Sequence, residues 1–306
     1  MEFEGYEPRH ILTTAESRAR TQTLFAKTNP QNLYILTQVL CSCAFTLSEF
    51  SIETQKYDTL FSGIANGLEI SAESPLVVSG NGRNLWFALM GGKDEPDAIG
   101  WLSIEGTEEW AFGVKLMEPD RSHVLIGALG CDLVTAETDL QTGRTRILRH
   151  DLRMREAELV HTFTGFIAGA TNEEFSSIIL MIKDDRSATK REPGVYDCIE
   201  ISPRDGSVRN IGVFLAADRM PSRICVSPDL RNLVAEINGE LWRVSLCDAT
   251  SETYLWKGRL IDCEWSVGLQ SVFIAHSIDR HVSLTTGQMA SYEEVWELRP
   301  RVGDHR

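Results

Sequence analysis

The chain alternates short apolar runs with polar turns, and the alternation recurs at intervals. The clearest unit is Arg223 to Leu246, RICVSPDLRNLVAEINGELWRVSL. Ser227-Pro228-Asp229 is a tight-turn sequence, because proline presets φ and the aspartate side chain can bond its own backbone. Leu233-Val234-Ala235 opens a buried strand, and Asn238-Gly239 is a two-residue hairpin signal. Leu241, Arg243 and Ser245 then alternate with Trp242, Val244 and Leu246, as in a two-sided strand. Five further segments share this layout, a turn on Asn, Asp or Gly followed by an apolar run. They are Asn29 before Leu33, Asn81 before Leu85, Asp120 before Val124, Asn172 before Ile178 and Gly268 before Val272. The six strand anchors are 52, 39, 54, 55 and 39 residues apart. The shorter intervals fit a bare four-stranded unit and the longer ones carry insertions.

Each unit is a small antiparallel sheet that cannot bury both faces alone, and stacking such sheets around a ring supplies the missing contacts. Helical character is confined to Arg153–Val160 and Ala290–Glu297, too little for the crossovers of a parallel α/β fold. The pattern therefore predicts an all-β chain: a β-propeller of about six blades, seven being possible, each an antiparallel sheet of up to four strands. It predicts one domain over residues 1–306, with disordered ends at 1–9 and 300–306. The run His10-Ile11-Leu12-Thr13-Thr14 is expected to pair into the last blade and lock the ring.

The segment Ser227-Pro228-Asp229, Leu233-Val234-Ala235, Gly239-Glu240-Leu241-Trp242 and Val244-Ser245-Leu246 resembles the propeller repeats of the TolB and YVTN type. Position 230 is Leu where that family usually has Gly, and the other five units follow the rhythm without the motif. The Trp-Asp dipeptide of WD repeats occurs nowhere in the chain. A resemblance of this kind implies a fold and no particular activity.

The 306 residues carry a net charge of −14, from 44 acidic and 30 basic side chains. A field of that sign repels phosphate backbones and disfavours nucleic acid as a partner. One local basic cluster stands out, Arg144, Arg146, Arg149, Arg153 and Arg155, which also reads as a solvated outer strand and loop. Met1 to Arg20 lacks the apolar core of a signal peptide, and no run approaches the roughly 18 apolar residues of a membrane span. Seven scattered cysteines without a CxxC pair read as reduced, buried thiols in a cytoplasmic protein.

Candidate chemistry is sparse. Propellers concentrate function at the central funnel and on the face carrying the loops between second and third strands. By analogy those loops include Cys41–Cys43, Gly91–Ala98, Gly130–Asp132, Lys183–Gly194, Asn238-Gly239 and His276–His281. His276, Asp279 and His281 at a hairpin tip could bind a metal or move protons; the ordinary alternative is a solvated turn. His161 lies where a first strand would line the funnel and could join His276, the alternative being a partly buried structural histidine. The polar loops with Lys93, Asp94, Asp184, Asp185 and Arg186 are candidate recognition elements. Trp86, Trp101, Trp242 and Trp265 read as inter-blade core, while Trp110, Trp256 and Trp296 fall on outer strands. There is no GxSxG elbow, HExxH or phosphate loop. No metal or cofactor is expected. The chain reads as a non-enzymatic binding or scaffold module for a protein or peptide partner. The alternative is a funnel-site enzyme, a metal-dependent hydrolase, lactonase or lyase whose acids and histidines would come from separate blades.

Overall fold

A computed structural model describes residues 6–13, 21–29, 31–39, 44–65, 67–71, 74–91, 96–104, 109–151, 153–172, 176–183, 194–216, 221–246, 252–257, 259–265, 272–283 and 288–300. Every regular element among them is a strand. The first strand, β1 (Tyr6–Thr13), stands apart from the sheet that follows it. The first sheet holds β2 (Thr21–Asn29), β3 (Asn32–Val39), β4 (Ala44–Ser51) and β5 (Lys56–Ile64). The second holds β6 (Glu69–Ile70), β7 (Val77–Val78), β8 (Asn84–Met90), β9 (Ala98–Ile104) and β10 (Trp110–Leu116). The third runs β11 (Arg121–Leu129), β12 (Asp132–Asp139), β13 (Arg144–His150) and β14 (Ala157–Thr164). The fourth runs β15 (Phe166–Asn172), β16 (Ser177–Lys183), β17 (Gly194–Ile201) and β18 (Val208–Ala216). The fifth runs β19 (Pro221–Val226), β20 (Asn232–Ile237), β21 (Glu240–Ser245) and β22 (Glu252–Lys257). The last holds β23 (Arg259–Trp265), β24 (Val272–Ser283) and β25 (Gln288–Pro300), with β1 as its outer strand.

The described pairings are all antiparallel, and neighbours follow chain order except where β1 flanks β25 and where β6 and β7 share β8. The inner strands touch in sequence: β2 meets β7, β7 meets β11, β11 meets β15, β15 meets β19, β19 meets β23, and β23 returns to β2. That circle of sheets is a β-propeller. It is shut by β1, whose Tyr6 lies opposite Pro300 and whose Thr13 lies opposite Glu294, as the sequence leads one to expect. Tyr6 to Arg9 and Pro300 belong to the ladder, because each finds a backbone partner there. Residues 1–5 and 301–306 lie outside the described residues.

A shared motif opens the second strand. Asn32-Leu33, Asn84-Leu85, Asp132-Leu133, Ser177-Ile178 and Asn232-Leu233 each place a polar residue first and a fully buried aliphatic residue second. In this phase the anchors are Leu33, Leu85, Leu133, Ile178, Leu233 and Val272, spaced by 52, 48, 45, 55 and 39 residues. Val124, expected to be an anchor, lies one strand too early, in β11, where it is half-exposed. Gly130, with φ of +62°, makes the turn that the sequence reading assigned to Asp120. Neither stretch read as helical is a helix: Arg153 to Glu156 form a turn that leads into β14, and Ala290–Glu297 lies within β25. Cross-strand partners overrode a weak local preference.

The Ser-Pro-Asp turn has a structural twin. In Ser227–Asn232 the Ser227 hydroxyl donates to Asp229 (2.6 Å), and Arg231 N–H and Asn232 N–H donate to the Asp229 carboxylate and the Ser227 hydroxyl. In Ser79–Asn84 the Ser79 hydroxyl bonds Asn81 (2.7 Å), and Arg83 N–H and Asn84 N–H donate to Asn81 and Ser79 in the same way. The fourth position is left-handed in both, with φ of +69° at Gly82 and +57° at Leu230. A left-handed leucine is strained. Leu230 packs its side chain on the core shared by the fourth and fifth sheets, which offsets that strain.

The inner position of the second sheet is split into β6 and β7 around Pro75, which has no N–H to give a ladder. Register shifts recur between third and fourth strands, at Leu47/Ser48, Ile147/Leu148, Cys198/Ile199 and Leu241/Trp242. Such bulges add local twist, which the outer part of a blade needs.

Candidate functional site

The seam between the first and second sheets opens at its rim. Ile64 ends β5, Ala65 and Leu68 lie in the connection to β6, Pro96 precedes β9, and Phe112, Val114 and Leu116 alternate along β10. Together they line a groove of about 400 Å³. Ile64 and Leu116 are each 62% exposed and Val114 is 39% exposed. No lining residue bears a titratable group. The groove lies at the end of the ring that carries the connections between second and third strands.

The groove floor is an aromatic stack. Phe112 lies 4.9 Å from Phe45 and is near-parallel to Phe87, at 6.3 Å and 9°. Glycines make room for these rings. Gly63 lies opposite Phe45, Gly100 opposite Phe87 and Gly113 opposite Trp101 in the strand registers. A Cβ at Gly100 would sit 2.6 Å from the Phe87 ring, which is wholly buried and has nowhere to retreat. Gly100→Ala is therefore expected to cost about 1–3 kcal/mol by overpacking, read as a lower midpoint in urea denaturation.

Gln38, at the end of β3, ties the groove to the seam. Its Nε2 donates to the Leu68 carbonyl (3.0 Å) and its Oε1 accepts from the Ile70 N–H (2.5 Å). At the opposite end of the same seam the Tyr34 hydroxyl donates to the Gly82 carbonyl (3.1 Å). Burial, with Glu49 adding to it, pushes the Tyr34 phenol up to about 12.

A charged cluster occupies the third sheet. Glu137 on β12 meets Arg146 (2.6 Å), Arg121 (3.5 Å) and His123 Nδ1 (3.6 Å), and Arg121 also pairs with Glu118 (2.5 Å). Burial lowers the His123 pKa, while Glu137 and Glu118 work against it. Two guanidinium groups occupy the one buried carboxylate, so the cluster is built as a brace. His150, on β13, bonds Thr135 through Nε2 (2.8 Å). Among the described residues no group of three or more His, Cys, Asp or Glu is placed to hold a metal.

The residues expected from sequence are dispersed. Lys93, Asp94, Asp184, Asp185 and Arg186 lie outside the described residues. His161 does not line the funnel. It sits on β14, an outer strand, opposite Ile147, with its ring 4.4 Å from that of Phe163. The error follows from the phase of the third unit, since the fourth sheet begins only at Phe166. His276, Asp279 and His281 do not form a hairpin tip. They lie within β24, opposite Glu294, Ser291 and Met289 in the strand register. The third and last sheets also stand across the ring from each other, so His161 and His276 are not brought together. The arginine cluster is partly neutralised, Arg146 by Glu137 and Arg149 by Asp132 (2.5 Å). Trp86 is core as expected, and Trp110 meets Tyr34 across the seam at 5.9 Å. The sequence reading missed Ile64, Val114 and Leu116; the legible signal was an apolar residue at every second position of an outer strand.

No protein-family model matches the chain, and no curated protein matches it. Solved structures do. A chain in the crystal structure of the mitotic checkpoint complex aligns with a TM-score of 0.53 at 12% identity, covering 99% of this chain and 94% of that one. A protein from Lactobacillus plantarum aligns with a TM-score of 0.51 at 11% identity, covering 91% and 84%. TolB from Acinetobacter baumannii aligns with a TM-score of 0.48 at 14% identity, covering 78% of this chain. The chain spans 55% of the length of that TolB chain. These are likenesses of fold.

Proposed function

We propose that this propeller, in which each of the six sheets is one blade, is a non-enzymatic binding or scaffold module. It docks a protein or peptide partner in the groove between the first and second sheets. The observation that carries this reading is the pair Ile64 and Leu116, two large aliphatic side chains held in water at the mouth of a concave apolar groove. Exposed apolar surface around a concavity is the ordinary mark of an interaction site. The lining offers burial and shape and carries no acid, base or nucleophile. The net charge of −14 turns the site toward polypeptide rather than nucleic acid. The propeller-like chain of the checkpoint structure belongs to a complex, which accords with a docking role. A cytoplasmic setting suits the buried thiol of Cys198, pushed up to about 12 by burial.

The test is affinity capture with the full chain from cell extract. Ile64→Glu with Leu116→Glu should reduce the captured partner at least tenfold, whereas Leu159→Glu, on the outer strand β14, should leave capture unchanged. Both sites are exposed, so stability should move by no more than about 0.5 kcal/mol. Equal capture by all three proteins would remove the groove from the function.

A further inference from the structure

We propose that the occupant of the groove is an extended segment of a partner polypeptide. It adds as a strand along β10, sets alternate apolar side chains into the groove, and carries basic residues at its flanks. This rests on the docking reading above and names the chemistry of the partner.

Three observations carry it. First, β10 ends its sheet: it pairs with β9 on one side, and no described strand is hydrogen-bonded to its other edge. An open edge is a template for one more strand. Second, Phe112, Val114 and Leu116 present the groove with a two-residue step, about 6.8 Å at the rise of an antiparallel strand. A peptide paired with β10 repeats that step, so its residues i and i+2 fall beside these side chains. A helix offers anchors at i, i+3 and i+4 on a cylinder about 10–12 Å across, which does not match a narrow channel built on one strand. Third, the charge is one-sided. Asp97, next to the groove residue Pro96, is exposed, and the chain carries a net charge of −14. Lys115 falls on the other face of β10 from Val114 and Leu116. Basic flanks on the incoming segment complement this rim and the acidic chain as a whole.

The experiment selects random twelve-residue peptides displayed on phage against the full chain, with Ile64→Ser/Leu116→Ser protein as the counter-target. Enriched peptides should carry apolar residues at i and i+2 between Lys or Arg flanks. Labelled copies should lose at least tenfold in affinity on the double variant by fluorescence anisotropy. Methylating alternate backbone nitrogens of the best peptide should cost at least tenfold in one of the two phases, since only one set of N–H groups faces β10. Peptides with i, i+3, i+4 anchors, acidic flanks, or affinity indifferent to N-methylation in both phases would overturn strand addition. They would leave the docking reading intact. A wild-type dimer in sedimentation, lost in Leu116→Ser, would assign the edge to a second copy of this chain and also overturn the proposal. Peptides that bind both proteins equally, with capture from extract insensitive to the groove, would overturn both readings.

Discussion

Replacing Gln38 by leucine is expected to lower the unfolding free energy by about 2–5 kcal/mol. Gln38 has no solvent exposure and joins two sheets through a donor and an acceptor. Leucine has nearly the same volume, so the change leaves little cavity. It does leave the Leu68 carbonyl and the Ile70 N–H without the partner that satisfies them. Each such buried group costs about 1–3 kcal/mol when its partner is removed. Urea denaturation at neutral pH reads the loss directly. Tyr34→Phe, on the same seam, removes a single bond to the Gly82 carbonyl and should cost about 1 kcal/mol. If Gln38→Leu proved no worse than Tyr34→Phe, the seam would not depend on the glutamine. Leu68 also lines the groove, so the same variant should weaken any peptide that the groove holds.

Mild acid is expected to destabilise the protein by about 2 kcal/mol between pH 7 and pH 5 through His150 alone. His150 is buried, and desolvation, with Lys115 adding to it, brings its pKa down to about 4; Glu137 and Asp151 oppose the shift. In the unfolded chain the imidazole takes up a proton near pH 6.5. The unfolded state therefore binds more protons between pH 6.5 and about 4, and stability falls as the pH falls through that window. Above pH 6.5 the contribution is complete. Integrated to pH 5 the lost share is about 2 kcal/mol, rising toward about 3 at pH 4. His123 is shifted in the same direction by burial and adds to the slope. His150→Gln keeps a partner for Thr135 without the titration, so its stability should change less between pH 7 and pH 5. Parallel pH profiles for wild type and variant would refute the assignment.

The rhythm of the fold was legible in the sequence because turn chemistry is local. Ser227-Pro228-Asp229 and Asn238-Gly239 specify their backbone by side-chain bonding and left-handed residues, and both turns occur where read, with Asn238 and Gly239 at φ of +53° and +74°. The His10–Thr14 closure was legible because an apolar stretch outside the first unit needs a partner. The third unit was misphased because β11 is itself apolar. Val124 in β11 and Leu133 in β12 look alike on paper, and only the register separates them. That slip of one strand carried His161 to the wrong side of the sheet. The His276–His281 stretch misled for a related reason, since a run of polar residues within a long strand imitates a loop. The groove was hardly legible, because its walls come from β5, the connection to β6, Pro96 and β10, and only the packing of two sheets brings them together.

The pairing of β1 with β25 makes the last sheet a joint between distant stretches of the polypeptide, Tyr6 facing Pro300. At about 5–20 residues per second on a ribosome, the two strands emerge tens of seconds apart. Through that interval β1 has its own edge uncovered and no destination within the growing chain. The ring therefore shuts after synthesis has passed β25, and the step that shuts it brings together contacts of very long sequence separation, a slow class of event. A nascent chain of this protein would carry an unpaired strand at one end and an unfinished sheet at the other, each a surface on which a second nascent chain could close in its place.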